Sequence, residues 1–254
     1  VIRDGELLSH SYELFPIDNT VPRDPDMVEL LEEYEQYLDQ HYSTDQVIGY
    51  AADINQCDDP TDEACWVNLT RYGTTGGDSM LGNFTAEAMR RYQGVETEIA
   101  ITNTLGIRAD INGGAITIED LFNSMPFDNT ITTMFLSGRE IQEVLDYVTR
   151  RSSERGCNSQ AQVAGMTFVM DCREQVATDV SINGVPLDDD GTYEVATNNY
   201  IAHGGSGFSM LERNTTQNDT GISIRDVVRE AITSYYTLPQ PGVCEEDGRI
   251  QAVY

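Results

Sequence analysis

There is no lysine in this chain of 254 residues: all 15 basic side chains are arginine, set against 43 acids for a formal charge of −28. Phosphate backbones and anionic bilayers bind through local cations, so nucleic acids and membrane surfaces are not expected as partners. Such a surface suits a salty medium, where screening relieves self-repulsion. Any anionic ligand has to be met by arginine placed against a repulsive field. No stretch approaches the roughly 18 consecutive apolar residues that a spanning helix needs. Val1-Ile2-Arg3-Asp4 does not open like a signal peptide. No C-x-x-C occurs, and His10, His41 and His203 lie far apart and away from the cysteines, so zinc-type spacing is missing.

What is present reads as a globular chain of ordinary apolar content. Five cysteines are placed informatively. Cys57 and Cys65 flank an acidic loop, and Cys157 and Cys172 flank a turn leading into a strand. Both pairs read as short-range staples of an oxidising compartment, with Cys244 left free or available to another chain. Asp188-Asp189-Asp190-Gly191 lacks the alternation and distal Glu of a calcium loop and reads as a polar hairpin turn.

Periodicity supplies the elements. Asp24-Pro25-Asp26 starts a helix running to about Gln40, with Met27, Leu30, Leu31, Tyr34, Tyr37 and Leu38 as its apolar stripe. Further helices are expected over 79–92, 138–151 and 225–235, the first with Glu87, Arg90 and Arg91 turned outward. Strands are expected over 47–52, 99–101, 130–136, 162–171, 176–182 and 193–197, and a short helix from Ile116.

Two stretches carry the chemistry. The first runs from Ile99 through Asn103 and Arg108 to Pro126-Phe127-Asp128-Asn129: a buried strand, a turn presenting arginine, then an aromatic ring on a loop. The second, Tyr193 to Phe208, is a strand followed by Asn198-Asn199-Tyr200 and a glycine turn. Arg with loop aromatics suits a planar, anionic ligand.

Together they resemble the C-terminal domain of the 5'-nucleotidase and UDP-sugar hydrolase family, whose motifs are N-G-G-G-I-R, P-F-G/D-N and N-D/N-F/Y-L/I-A-x-G-G-D-G-F. Here these stand as Asn103-Thr104-Leu105-Gly106-Ile107-Arg108, Pro126-Phe127-Asp128-Asn129 and Asn199-Tyr200-Ile201-Ala202-His203-Gly204-Gly205-Ser206-Gly207-Phe208. The resemblance spans nearly the whole chain and implies an α+β fold of mixed β-sheets covered by helices, with an N-terminal linker helix. Residues 1–45 would be the end of a catalytic domain and its interdomain helix, and 46–254 the substrate-recognition domain.

The resemblance also implies a division of labour. In the family a divalent metal pair in an N-terminal metallophosphoesterase domain hydrolyses the phosphate ester, and that domain is expected to be missing here. No catalytic residue and no metal ligand is therefore expected in this chain. Substrate binding carries over: Phe127 and Tyr200 match the rings that sandwich the nucleobase, Asn103 the amide that hydrogen-bonds the base or its neighbour, and Arg108 the phosphate-binding arginine. Asn199 opens the last motif, and Ser206 stands where the family has the Asp that holds ribose hydroxyls. Thr104-Leu105 replaces two glycines, and a second family arginine falls near Thr75, with Arg71 close by. The implied partners are a nucleotide or nucleoside and the N-terminal domain, in a secreted, periplasmic or cell-surface setting. The other reading is an extracellular structural or assembly protein that keeps the fold with a degenerate pocket and self-associates.

Overall fold

The computed structural model describes all residues except 1, 4, 8, 9, 16, 18, 19, 54, 57, 241 and 242, and it divides into two units, Val1–Ser43 and Thr44–Tyr254. The first unit holds a small antiparallel hairpin, β1 (Ile2–Arg3) and β2 (Glu6–Leu7), and the helix α1 (Pro25–Tyr42). The Asp24 carboxylate caps α1 by accepting the Asp26 amide at 3.0 Å, and Pro25 sits where no amide partner is needed. The apolar stripe of α1 stays about half exposed along its length.

The second unit opens with β3 (Val47–Ala51) and, after the acidic loop, α2 (Met80–Arg91), capped by the Ser79 hydroxyl. The central stretch folds as β4 (Ile99–Asn103), β5 (Gly114–Thr117) and α3 (Ile118–Ser124). Ile116 was expected to begin the helix, but Thr117 and Asp120 cap each other reciprocally, which fixes the start at Ile118 and leaves Ile116 in a strand. The same device at Ser137 and Glu140 divides β6 (Thr130–Ser137) from α4 (Gly138–Ser153).

The run expected as one strand over 162–171 is two, β7 (Ala161–Ala164) and β8 (Met166–Asp171). Gly165 separates them at φ +71°, and a Cβ there would lie 2.2 Å from the Glu98 carbonyl oxygen, so glycine lets the chain leave one sheet for another. Then follow β9 (Val176–Ile182), β10 (Val185–Pro186), β11 (Thr192–Asn198), α5 (Asn199–Ala202) and α6 (Ser209–Glu212). The last elements are β12 (Asn218–Ser223), α7 (Ile224–Tyr235), β13 (Thr237–Leu238) and β14 (Ile250–Val253).

The fold of this unit is α+β with mixed sheets. The central sheet runs β12-β6-β11-β4-β7, with β11 and β4 parallel and the other pairs antiparallel. Sheets of order β10-β9-β8-β14 and β13-β3-β5 are also mixed. All five residues of β4 are buried because both faces of the central sheet are covered. On one face, Ala100, Ile131 and Ala196 meet Phe84, Met89 and Val228 of α2 and α7. On the other, Ile99, Ile101 and Val195 meet α4 and the β8–β9 ribbon. Ile141, Val144, Leu145 and Val148 of α4 are wholly buried there, each contributing about 1.5–3 kcal/mol of transfer free energy as an upper bound.

Glu87 departs from the outward position expected for it. Its side chain is 4% exposed and pairs with Arg90 at 2.6 Å, with Arg91, and with Arg249 at 3.5 Å. A buried carboxylate needs such partners, and two of them lie one helical turn away. Cys157 and Cys172 are disulfide-bonded with their Cα atoms 5.9 Å apart. Cys65 is also disulfide-bonded, while Cys57, expected as its partner, lies outside the described residues. Cys244 is a buried free thiol, pushed up to about 12 by burial.

Candidate recognition cavity

The parallel strands β4 and β11 end side by side, and the antiparallel β6 begins next to them. Backbone groups at strand ends lose their ladder partners, so turns and polar side chains gather there, and ligands commonly bind at such edges. Asn198, at the end of β11, joins the ends: its amide donates to Asn103 Oδ1 at 2.8 Å and to Thr102 Oγ1 at 3.0 Å. Its own oxygen caps α5 by accepting the Ile201 amide.

Beyond this edge lies a cavity of about 300 Å³ lined by Asn103, Leu105, Gly106, Arg108, Phe127, Asn129, Tyr200 and Ser206. Five of the six expected substrate-binding residues, Asn103, Arg108, Phe127, Tyr200 and Ser206, are thus brought together across about 100 residues of chain. Asn199 is not among the lining residues: its Oδ1 accepts the Thr130 amide at 3.3 Å and ties α5 to the start of β6. Phe127 and Tyr200 are each 49% exposed, so neither ring is spent on the core.

Each wall is locally explained. Asn103 is buried at the tip of β4 and lies against Gly106, where a Cβ would stand 3.3 Å from Asn103 Oδ1. Of the two residues replacing family glycines, Thr104 turns inward, donating to the Ser159 carbonyl at 2.8 Å, and only Leu105 adds bulk to the cavity. The exposed Arg108 is fixed through its backbone, with its amide donating to the Ser124 carbonyl at 2.7 Å and Arg71 bonding its carbonyl. Arg71 is not a lining residue, and its guanidinium serves Arg108 and Asp110.

Tyr200 and Ser206 form one unit. The Ser206 amide donates to the Tyr200 hydroxyl at 3.1 Å, and the Ser206 carbonyl accepts from Tyr147 at 2.6 Å and from Arg151. Ser206 has φ +55°, a conformation that costs a side-chain-bearing residue on the order of 1–3 kcal/mol and is held by those contacts. The Ser206 hydroxyl and amide, with the charge of Arg151, hold the Tyr200 phenol below its usual range.

Residues 47–213 match the family described as 5'-nucleotidase, C-terminal domain. The chain belongs to this family. It is 30% identical over 251 residues to the trifunctional nucleotide phosphoesterase protein YfkN of Bacillus subtilis, covering 95% of this chain and 16% of that protein. It is 27% identical to an apyrase of Tabanus yao, covering 93% of this chain and 43% of the apyrase. The crystal structure of the 5'-nucleotidase precursor of Thermus thermophilus superposes with a TM-score of 0.72 at 27% identity, over 89% of this chain and 43% of that one. The chain thus spans less than half the length of these relatives.

Among the described residues no group of three or more His, Cys, Asp or Glu side chains is placed to hold a metal ion. In α1 the His41 ring stacks on Tyr37 and its Nδ1 sits 2.8 Å from the Tyr37 carbonyl oxygen. His203 Nδ1 is 2.6 Å from the Asn199 carbonyl. Among the described residues, no helix is long and apolar enough to cross a membrane.

Sequence reasoning passed over Asn129, although it is the fourth residue of the P-F-D-N motif. It also passed over Arg151 and Arg225, which donate to the Ser206 and Phe127 carbonyls and so leave no motif.

Proposed function

We propose that this chain is the nucleotide-recognition part of a secreted, periplasmic or cell-surface 5'-nucleotidase-like phosphoester hydrolase. In this reading the nucleobase lies between Phe127 and Tyr200, where stacking is worth about 1–3 kcal/mol per ring and is tolerant of base identity. Asn103 and Asn129 offer amides to the base edge, Ser206 a hydroxyl to the sugar, and Arg108 a planar fork to the phosphate. Hydrolysis belongs to a metal-bearing domain outside these residues, and the chain alone is expected to be inactive. Residues 1–45 would carry the end of that domain and the connecting helix, with 46–254 as the recognition domain.

The observation that carries the reading is the convergence of two half-exposed rings, an exposed arginine and a buried amide on one cavity at the sheet edge. A core-packed ring at either position would have favoured the assembly-protein reading, and neither ring is core-packed. Calorimetric titration with adenosine and AMP at high salt tests the proposal. Saturable binding that disappears in the F127A/Y200A double variant is the expected result. No heat from either ligand at millimolar concentration would favour the assembly protein.

A further inference from the structure

The proposed function depends on a ring that stands on the loop between α3 and β6. The Phe127 loop is held by a side chain nearly 100 residues away in sequence. Arg225, the second residue of α7, reaches beneath it. Its Nε donates to the Met125 carbonyl at 2.8 Å, and its Nη2 donates to the Phe127 carbonyl and to Asp128 Oδ1, both at 3.0 Å.

The environment says which of these bonds matter. The Arg225 side chain is 13% exposed, whereas that of Asp128 is 94% exposed. The ion pair is therefore screened by water, and the two carbonyl bonds are the sheltered ones. The guanidinium also lies 4.2 Å from the centroid of the Phe122 ring, which fixes its plane from below. One residue earlier, the Ile224 amide donates to the Asn129 carbonyl at 3.0 Å, so the start of α7 grips the loop on both sides of Phe127. Arg225 and Phe127 share a small second cavity, while Arg225 is not among the residues lining the larger one.

We infer that Arg225 is a positioning residue for Phe127, setting where that ring stands in the cavity without touching the ligand. The inference rests on the nucleobase reading of the cavity. A guanidinium offers donors in a rigid fork that spans two carbonyls at once, which a lysine ammonium on a flexible stem does not reproduce.

The test compares the unaltered chain with R225M, R225K, F127A and F127A/R225M. Adenosine affinity is read by calorimetry, and amide hydrogen exchange is read segment by segment. The expected result for R225M is affinity weakened by about tenfold, because binding must then order the released loop. Exchange should rise across residues 125–129 and stay unchanged elsewhere. R225K should recover part of the affinity, and F127A/R225M should bind no more weakly than F127A.

R225M binding adenosine like the unaltered chain, while F127A loses it, would overturn the inference alone. So would exchange that rises throughout the chain, or losses in R225M and F127A that add in full. F127A with unchanged affinity, or an unaltered chain that binds no adenosine, would remove the nucleobase reading and the inference together.

Discussion

Phe127 and Tyr200 line the same cavity with equal exposure, yet one is held through its backbone and the other through its own hydroxyl. Phe127 has no polar atom on its ring, so its place depends on what grips the loop beneath it. Tyr200 carries a hydroxyl that accepts the Ser206 amide, and the Ser206 carbonyl is in turn held by Tyr147 and Arg151. The Tyr200 wall is thus a hydrogen-bonded chain that includes the ring, and the Phe127 wall is a clamp that stops short of it. In a chain of 15 arginines and no lysine, Arg71, Arg151 and Arg225 all spend donors on backbone carbonyls beside cavity residues. A cavity built from loops needs such donors, because hydrophobic burial fixes helices and strands but not strand-end loops.

The comparison is broken most completely by removing each ring. F127A and Y200A should each weaken adenosine binding by about 1–3 kcal/mol, read by calorimetry. Their melting temperatures should differ. F127A leaves the clamp its carbonyl partners and should melt like the unaltered chain. Y200A deprives the strained Ser206 turn of one partner and should melt lower. Equal melting of the two would show that the hydroxyl holds nothing.

R151M reads the Tyr200 wall through stability rather than through affinity. It removes a charged donor to the Ser206 carbonyl and leaves Tyr147 in place, so stability should fall by about 1.5–3 kcal/mol in chemical denaturation. Denaturation indistinguishable from that of the unaltered chain would assign the Tyr200 wall to Tyr147 alone.

The finest test is Y200F, which keeps the stacking face and deletes the handle. Stability should drop by about 0.5–1.5 kcal/mol, with adenosine affinity held within about twofold. The phenol of Tyr200 lies below its usual range because Ser206 and Arg151 favour its charged form. The folded chain therefore releases that proton before the unfolded chain does. Its contribution to stability grows as pH rises through the folded value and is complete above the ordinary tyrosine range. Ultraviolet titration should show an early phenolate component that is absent from Y200F. An identical titration in both chains would contradict the hydrogen-bonded arrangement.

Much of the fold was legible because period and capping agree with tertiary structure. The helix expected over 138–151 forms as Gly138–Ser153, where Ser137 and Glu140 cap each other at its start. What was not legible depended on distant partners. Gly165 looks like any residue of a long strand until the Glu98 carbonyl packs against it, and Glu87 looks like a surface acid until Arg249 arrives. The same holds at the cavity. Asn103, Arg108, Phe127 and Tyr200, named from motifs, line one cavity, whereas the Asn199 side chain ties α5 to β6. Arg225 could not be named, because its partners are carbonyls of residues 125 and 127, and every residue has a carbonyl.

We propose that the cavity at the ends of β4 and β11 recognises a nucleotide by base stacking and an arginine fork. A crystal structure of this chain soaked in AMP tests it most directly. The expected density places the base between Phe127 and Tyr200, with the phosphate within hydrogen-bonding reach of Arg108. AMP bound elsewhere, or a cavity without ligand density at saturating AMP, would contradict it.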